Sequence, residues 1–149
     1  MVAAIAPTSP KGPAMAHPDM VPLLITEALP ATRAFYVDDL GCEVVIEQGE
    51  YLQIRFGDEP DTRELAFMAP DPPGGPMAGL PSYSGGLVVS IAVDDADKFR
   101  EVLGARGVAA PEPTDKPWGW RSFVLRDPNG VVLDFFHAIA EDAAQDASS

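Results

Sequence analysis

Hydrophobic and polar residues follow the same order in two blocks of this chain, on either side of a stretch rich in proline and glycine. In the first block the pattern predicts a strand over Val21–Ile25, then a helix that opens at Pro30 and ends at Gly41. Three further strands are predicted, at Glu43–Glu47, Tyr51–Phe56 and Glu64–Met68. The first block is therefore predicted to be a βαβββ unit.

The second block repeats this plan. A β-rich run over Leu87–Val93 precedes a helix that begins near Asp94 and ends at Gly107. Strands are then predicted at Val108–Ala110, Arg121–Arg126 and Val131–Phe136. The repetition implies an internal duplication and an α+β fold of paired βαβββ modules. Since one helix covers one face of each sheet, the other faces are expected to curl around a concave cavity, a common place for a ligand.

The same pattern sets the domain boundaries. One domain is predicted over residues 20–139, with modules 20–69 and 86–139 and a linker over residues 70–85. Residues 1–19 are rich in alanine and proline and are predicted to be a disordered leader. Residues 140–149 are small and acidic and are predicted to be a disordered tail.

Charge and cysteine content narrow the function classes. Ten Lys and Arg against 23 Asp and Glu give a net charge of −13, which argues against nucleic acid and anionic membranes as partners. The charge suits a cationic ligand, although solubility is the simpler explanation. Cys42 is the only cysteine, so no internal disulfide can form, and with no secretory signal in the sequence a cytoplasmic protein is expected.

One carboxylate stands out in the last predicted strand. Residues 131–136 read Val-Val-Leu-Asp-Phe-Phe, so Asp134 interrupts an apolar run. A carboxylate in such a strand is costly unless it is paired, coordinated or hydrated. Asp134 is therefore expected to face a cavity or to bind something.

Three segments give the chain a resemblance to a known group of proteins. Residues 34–41 (AFYVDDLG), 93–95 (VDD) and 127–134 (DPNGVVLD) resemble the vicinal oxygen chelate superfamily, which includes glyoxalase I, extradiol dioxygenases and bleomycin-resistance proteins. The likeness covers about residues 20–139. It implies paired βαβββ modules that form a U-shaped mixed sheet, and it implies a homodimer, in some members with modules exchanged between chains.

The resemblance also implies where a divalent metal would be held. Enzymes of the superfamily use residues of strands one, four, five and eight, and the matching positions here are Pro22, Glu64, Val88 and Asp134. Two of these offer no side-chain ligand, and two carboxylates alone are poor ligands for Zn, Ni or Fe. No metal or other cofactor is therefore expected, although Mg or Mn bound through carboxylates and water stays open. His137 is expected to be a surface residue.

Other segments resemble the metal-free, bleomycin-resistance-like branch. These are residues 20–24 (MVPLL), 51–57 (YLQIRFG) and 117–121 (PWGWR). The resemblance implies a dimer that sequesters a planar or cationic drug in a groove.

The candidate ligand-binding residues follow from these motifs and from strand alternation. Trp118 and Trp120 offer flat surfaces at the mouth of the cavity, although either could instead fill the core or a dimer contact. Arg121 is expected to pair with a ligand carboxylate or with an acid such as Glu64. Glu64 and Asp134 are assigned equivalent strand positions facing the cavity, as a site for a cationic group or as hydrated acids. The remaining wall positions are assigned to Met68, Phe136 and Ser90, with Leu24, Thr26, Ala66 and Val132 beside them.

The sequence thus favours a metal-independent small-molecule binding protein, with a cationic aromatic antibiotic as one ligand class. The alternative is a glyoxalase-like lyase, isomerase or dioxygenase that uses a divalent metal or the Glu64 or Asp134 carboxylate as a base. A non-catalytic interaction domain would instead have a filled cavity.

Overall fold

The computed structural model describes residues 18–58 and 61–139. The predicted tail and all but the last two residues of the predicted leader lie outside the described residues. Within this part of the chain no helix is long and apolar enough to cross a bilayer.

The first module is a mixed sheet with one helical segment. Its strands are β1 (Leu23–Ile25), β2 (Glu43–Gln48), β3 (Tyr51–Arg55) and β4 (Glu64–Met68), in the order β1-β4-β3-β2. β1 runs parallel to β4, and the other pairs are antiparallel. Helix α1 (Leu29–Arg33) follows β1 and continues into a π-helical segment over Ala34–Asp39.

The second module repeats the arrangement. Its strands are β5 (Val88–Ala92), β6 (Thr114–Asp115), β7 (Trp120–Arg126) and β8 (Val132–Ala138), in the order β5-β8-β7-β6, and its helix is α2 (Ala96–Ala105). β5 runs parallel to β8, as β1 does to β4. The α+β class with two mixed sheets is confirmed, and neither sheet closes on itself.

The π-helical segment differs from the regular helix that the sequence predicts. The Leu40 N–H donates to the Phe35 carbonyl at 3.0 Å, a bond that spans five residues. Gly41 then takes a φ of +78°, which lets the Cys42 N–H reach the Tyr36 carbonyl at 2.8 Å. Gly41 therefore ends the helical segment as predicted.

The strand predicted at Val108–Ala110 is wrong, and the second strand of this module is the short β6. The predicted segment instead closes the end of α2, because the Val108 N–H donates to the Leu103 carbonyl at 2.9 Å. The Ala110 carbonyl accepts from Arg100 Nε at 2.8 Å. With these groups bonded to the helix, the segment has no free edge for a sheet.

One hydrophobic core joins the two modules of the chain. Tyr36 and Phe67 of the first module and Leu133 and Phe135 of the second are all buried in it. Across the junction the Tyr36 hydroxyl donates to Asp127 Oδ2 at 2.8 Å, and both side chains are buried. The modules therefore pack on each other within a single chain through their helix-covered faces.

Candidate functional site

The second sheet has one face buried in the core and one face left open. On β8, Leu133 and Phe135 are buried, whereas the side chains of the alternate residues Val132, Asp134 and Phe136 point to the other side. We call this other side the open face, and the strand registers assign it Val88, Ser90, Trp120, Ser122, Val124, Val132, Asp134 and Phe136. Val88 is 59% exposed and Val124 is 42% exposed, so much of an apolar surface is in contact with solvent.

Asp134 lies in the middle of the open face. Its register neighbours are Ser90 on β5 and Val124 on β7. The Ser90 hydroxyl donates to Asp134 Oδ2 at 3.2 Å. Because the face is open, water can solvate the carboxylate, and a ligand cation could replace that water.

Beside this carboxylate lies an aromatic pair. Trp120 and Phe136 stack with 3.6 Å between their ring centroids and 12° between their planes. Phe136 is two residues from Asp134 on the same face of β8. The open face therefore offers a planar apolar surface next to a negative charge.

Trp118 is placed in the turn before β7 and is 63% exposed. The turn is closed by the Gly119 N–H, which donates to the Lys116 carbonyl at 3.0 Å. A role for Trp118 at the mouth of a ligand site stays a prediction.

Arg121 lies on the opposite face from Asp134, beside the start of α2. Its Nε donates to Asp97 Oδ2 at 2.7 Å and its Nη1 to Asp115 Oδ1 at 2.9 Å. The hydrogen bond from Arg121 lowers the pKa of the Asp97 carboxyl. Arg121 thus pairs with neighbouring acids, one of the two alternatives expected, but these acids are Asp97 and Asp115 and not Glu64, because β7 turns Arg121 toward the helix.

His137 is not the surface residue that the sequence suggests. The side chain is half-buried, and its Nδ1 accepts from the Ala96 N–H at 2.8 Å. The first N–H groups of a helix have no partner within the helix, so the imidazole satisfies one of them.

Glu64 is buried in a polar network on the first sheet. Gln53 Nε2 donates to Glu64 Oε1 at 2.6 Å, and Arg55 Nη1 lies 3.7 Å from Glu64 Oε2. Arg55 also pairs with Glu43, and the Tyr51 hydroxyl donates to Gln53 at 2.7 Å. Burial and the Glu64 charge together raise the pKa of Tyr51. The charge of Glu64 is thus already compensated inside the chain.

The equivalence of Glu64 and Asp134 stays a prediction. Aligning the pair Tyr51–Met68 with the pair Trp120–Ala138 matches Glu64 with Asp134, whereas aligning the pairs at the opposite strand ends matches Glu64 with Val132, because β7 and β8 are two residues longer than β3 and β4. The surroundings of the two acids differ: Glu64 is buried against Gln53 and Arg55, whereas Asp134 lies on the open face.

A groove of about 220 Å³ lies where the residues before β1 and the start of β4 in the first module meet β5 of the second. It brings together Glu64 and Ser90, two of the predicted site residues. The rest of its lining is Met20, Pro22, Phe56, Thr62, Arg63, Leu65, Val89 and Ile91. Ser90, whose hydroxyl donates to Asp134, is the residue that this groove shares with the open face.

Met68 is half-buried and pairs with Ile25 and Tyr51 on the first sheet. It is absent from the lining of this groove. Its predicted place in the ligand site stays a prediction.

The donor set does not fit the transition-metal site that the fold allows. Among the described residues, no group of three or more His, Cys, Asp or Glu side chains could hold a metal ion. Glu64 faces the guanidinium of Arg55, and Pro22 and Val88, at the other two positions, offer no side-chain ligand. We derive no chemical step through a metal for this chain.

Sequence reasoning missed Gln53 and Ser122. Alternation along β7 assigns Ser122 to the same face as Trp120. Gln53 could be found only from the register of β3 with β4, which pairs it with Ala66 on the same face as Glu64.

The fold and the open face define a member of a family built from paired modules. The family model "Glyoxalase/Bleomycin resistance protein/Dioxygenase superfamily" matches residues 15–135, and the chain belongs to that superfamily.

Solved structures of both functional kinds share the fold. A glyoxalase/bleomycin resistance protein/dioxygenase from Nocardioides matches with a TM-score of 0.64 and 20% identity, over 94% of this chain and 91% of its own. A lactoylglutathione lyase from Agrobacterium tumefaciens matches with a TM-score of 0.62 and 22% identity, over 88% of this chain and 95% of its own.

A bleomycin-binding protein complexed with bleomycin matches with a TM-score of 0.56 and 22% identity, over 79% of this chain and 96% of its own. No curated protein matches the chain. At these identities the likeness to solved structures concerns the fold alone.

Proposed function

We propose that this protein binds a planar, cationic small molecule on the open face of its second sheet, without a metal ion, as a sequestering protein of the bleomycin-resistance type. The observation that carries the proposal is the Trp120–Phe136 stack next to Asp134 on a solvent-exposed face. Stacking on an aromatic ring and pairing with a carboxylate are the two interactions that such a ligand needs.

The chemistry of the two acids supports binding over catalysis. Glu64 accepts a hydrogen bond from Gln53 and faces Arg55, so its lone pairs are engaged and its charge is compensated. Asp134 is the accessible acid, and its hydrogen-bond partner is the Ser90 hydroxyl. A general base must pass on the proton that it accepts, and Ser90 is not a group that would take a proton from the Asp134 carboxyl. These contacts favour a fixed negative charge over a general base.

We further propose that two copies of the chain complete the site. The open face presents Val88 and Val124 to solvent along two strands. An exposed apolar surface next to polar groups is typical of a ligand groove or an interface. A second copy that covers part of the open face would turn it into a closed groove.

Calorimetry with metal-free bleomycin and with proflavine, a planar aromatic cation, tests the proposal on the full chain. Trp120→Ala removes the indole of the stack and is expected to weaken binding by about 1 kcal/mol, or about fivefold. Asp134→Asn removes the charge and is expected to weaken binding by up to about fivefold, with the larger loss at low salt. Asp38→Asn, an exposed acid on the first module, is the matched control and should change neither value.

Two results would contradict the proposal. One is the absence of binding heat for every cationic aromatic tested. The other is a stoichiometric transition metal in protein purified without chelator that Asp134→Ala removes, since this would assign Asp134 to a metal centre.

A further inference from the structure

One buried hydroxyl on the open face has no hydrogen-bond partner. Ser122 is 1% exposed, and its Oγ is the one buried side-chain polar atom without a partner in residues 18–58 and 61–139. A buried polar group that stays unpaired destabilises the protein. Such groups are uncommon in native structures and call for a specific explanation.

The surroundings of Ser122 are those of the proposed ligand site. Across the sheet Ser122 pairs with Phe136 on one side and with Thr114 on the other. Trp120 is two residues earlier on the same face of β7. To stack on Phe136 the Trp120 ring must reach diagonally across to β8, which carries it past Ser122. Asp134 is the diagonal neighbour on the other side.

We infer that the Trp120 ring occupies the aromatic subsite of the free protein and that Ser122 becomes a ligand contact when that ring moves. In this inference, which rests on the proposed function, a planar ligand enters between Phe136 and the indole of Trp120, and the displaced indole covers the other face of the ligand. A nitrogen or oxygen at the edge of the ligand then bonds to Ser122 Oγ.

The geometry also defines the chemical class of the ligand. A group stacked on Phe136 lies beside Ser122, which is directly opposite Phe136 on β7, and beside Asp134, which is two residues earlier on the same face of β8. A hydroxyl accepts or donates a hydrogen bond, whereas an ionised carboxylate only accepts. An aminated heteroaromatic ring, with N–H groups at its edge, can satisfy both.

This arrangement predicts opposite effects of Ser122 on stability and on affinity. In the free protein the hydroxyl is unpaired, so its removal relieves a cost. In the complex the hydroxyl is paired, so its removal loses a hydrogen bond in a site that excludes water. A residue with a merely structural role would not show this reversal.

The test combines thermal melting with calorimetry, with proflavine as the probe. Ser122→Ala is expected to raise the melting temperature of the free protein by about 2–4 °C and to weaken proflavine binding by about five- to tenfold. Ser82→Ala is the matched control. Ser82 lies in the linker, away from the open face, and its hydroxyl donates to Glu27, so both values should stay at those of the wild type.

Each outcome decides the inference. A lower melting temperature for Ser122→Ala, or unchanged proflavine affinity in that variant while Asp134→Asn weakens binding, overturns it and leaves the proposed function standing. No binding of proflavine to the wild type overturns both together.

Discussion

The buried hydrogen bond from the Tyr36 hydroxyl to Asp127 joins the two modules, and its removal should lower the free energy of unfolding. Tyr36→Phe keeps the aromatic ring, whose centroid lies 5.0 Å from that of the Phe67 ring. It deletes only the hydroxyl, which donates to Asp127 Oδ2 at 2.8 Å. Burial, followed by the charge of Asp127, raises the pKa of Tyr36 far above its ordinary value, so the hydroxyl stays a donor at any pH of interest.

The size of the effect follows from what Asp127 keeps. Its Oδ1 still accepts from the backbone N–H groups of Asn129 and Val131, at 2.7 and 2.8 Å. Its Oδ2 keeps only the Asn129 side-chain amide, at 3.3 Å. A buried hydrogen bond to a charged group contributes about 2 kcal/mol, which corresponds to a fall of about 4–8 °C in melting temperature for a chain of this length.

Urea denaturation of the wild type and of two variants measures this loss. Tyr51→Phe is the matched control, because its hydroxyl donates to the neutral Gln53 amide at 2.7 Å from a half-buried ring, and it should lose at most about 1 kcal/mol. The m-value should be unchanged in both variants. A loss of under about 0.5 kcal/mol for Tyr36→Phe, or one no larger than for Tyr51→Phe, would refute the assignment of this bond as a buried, charge-assisted contact.

Three further predictions concern the thiol, one acid and two glycines. Burial raises the pKa of Cys42 to about 12, so a thiol reagent at pH 8 should label it only as the protein unfolds; rapid labelling of the folded protein would contradict this. The Arg63 side chain, bonded to Asp61, holds the pKa of that carboxyl below its ordinary value. The Asp61 carboxyl therefore binds its proton less tightly in the folded state than in the unfolded chain, so Asp61→Asn should lower the free energy of unfolding near pH 6. The difference between variant and wild type should vanish as the pH falls below the ordinary carboxyl range. A difference that stays constant with pH would contradict this prediction. Gly130 has a φ of +93° and Gly104 lies in α2, and a methyl group added at either position meets no atom within 4 Å outside the local backbone. Gly130→Ala should therefore lower the free energy of unfolding by about 1–2 kcal/mol, whereas Gly104→Ala should raise it by up to about 1 kcal/mol. Chemical denaturation measures both, and equal effects would contradict the backbone argument.

The strands with one apolar face could be predicted from the sequence to within two residues. β8 alternates between core and open-face side chains, so spacing alone assigns Val132, Asp134 and Phe136 to one face, whereas Trp120 was expected in the loop before β7 and is its first residue. Turn glycines and a proline bounded the helical segment of the first module in the same way. Local pattern and tertiary structure agree in these segments.

The face assignment of β1 could not be predicted. Leu24 pairs with Phe67 and is buried in the core, and Thr26 bonds to Asn129 at 2.5 Å, so neither is a wall of the ligand site as expected. A strand of three apolar residues, Leu-Leu-Ile, has no alternation from which to choose a face.

The different surroundings of the two acids could not be predicted either. Glu64 is buried beside Arg55 on the neighbouring strand, whereas Asp134 lies on the open face. The pairing of Arg55 with Glu64 is a contact between strands that spacing along the chain does not report.

Metal-independent binding on the open face is the central claim, and calorimetric titration of proflavine into chelator-treated protein tests it most directly. We predict saturable binding that is unchanged when Mn²⁺ or Ni²⁺ is added back and that is weakened in Trp120→Ala and Asp134→Asn. Binding that occurs only after a metal is restored, or that both variants leave intact, would contradict the account.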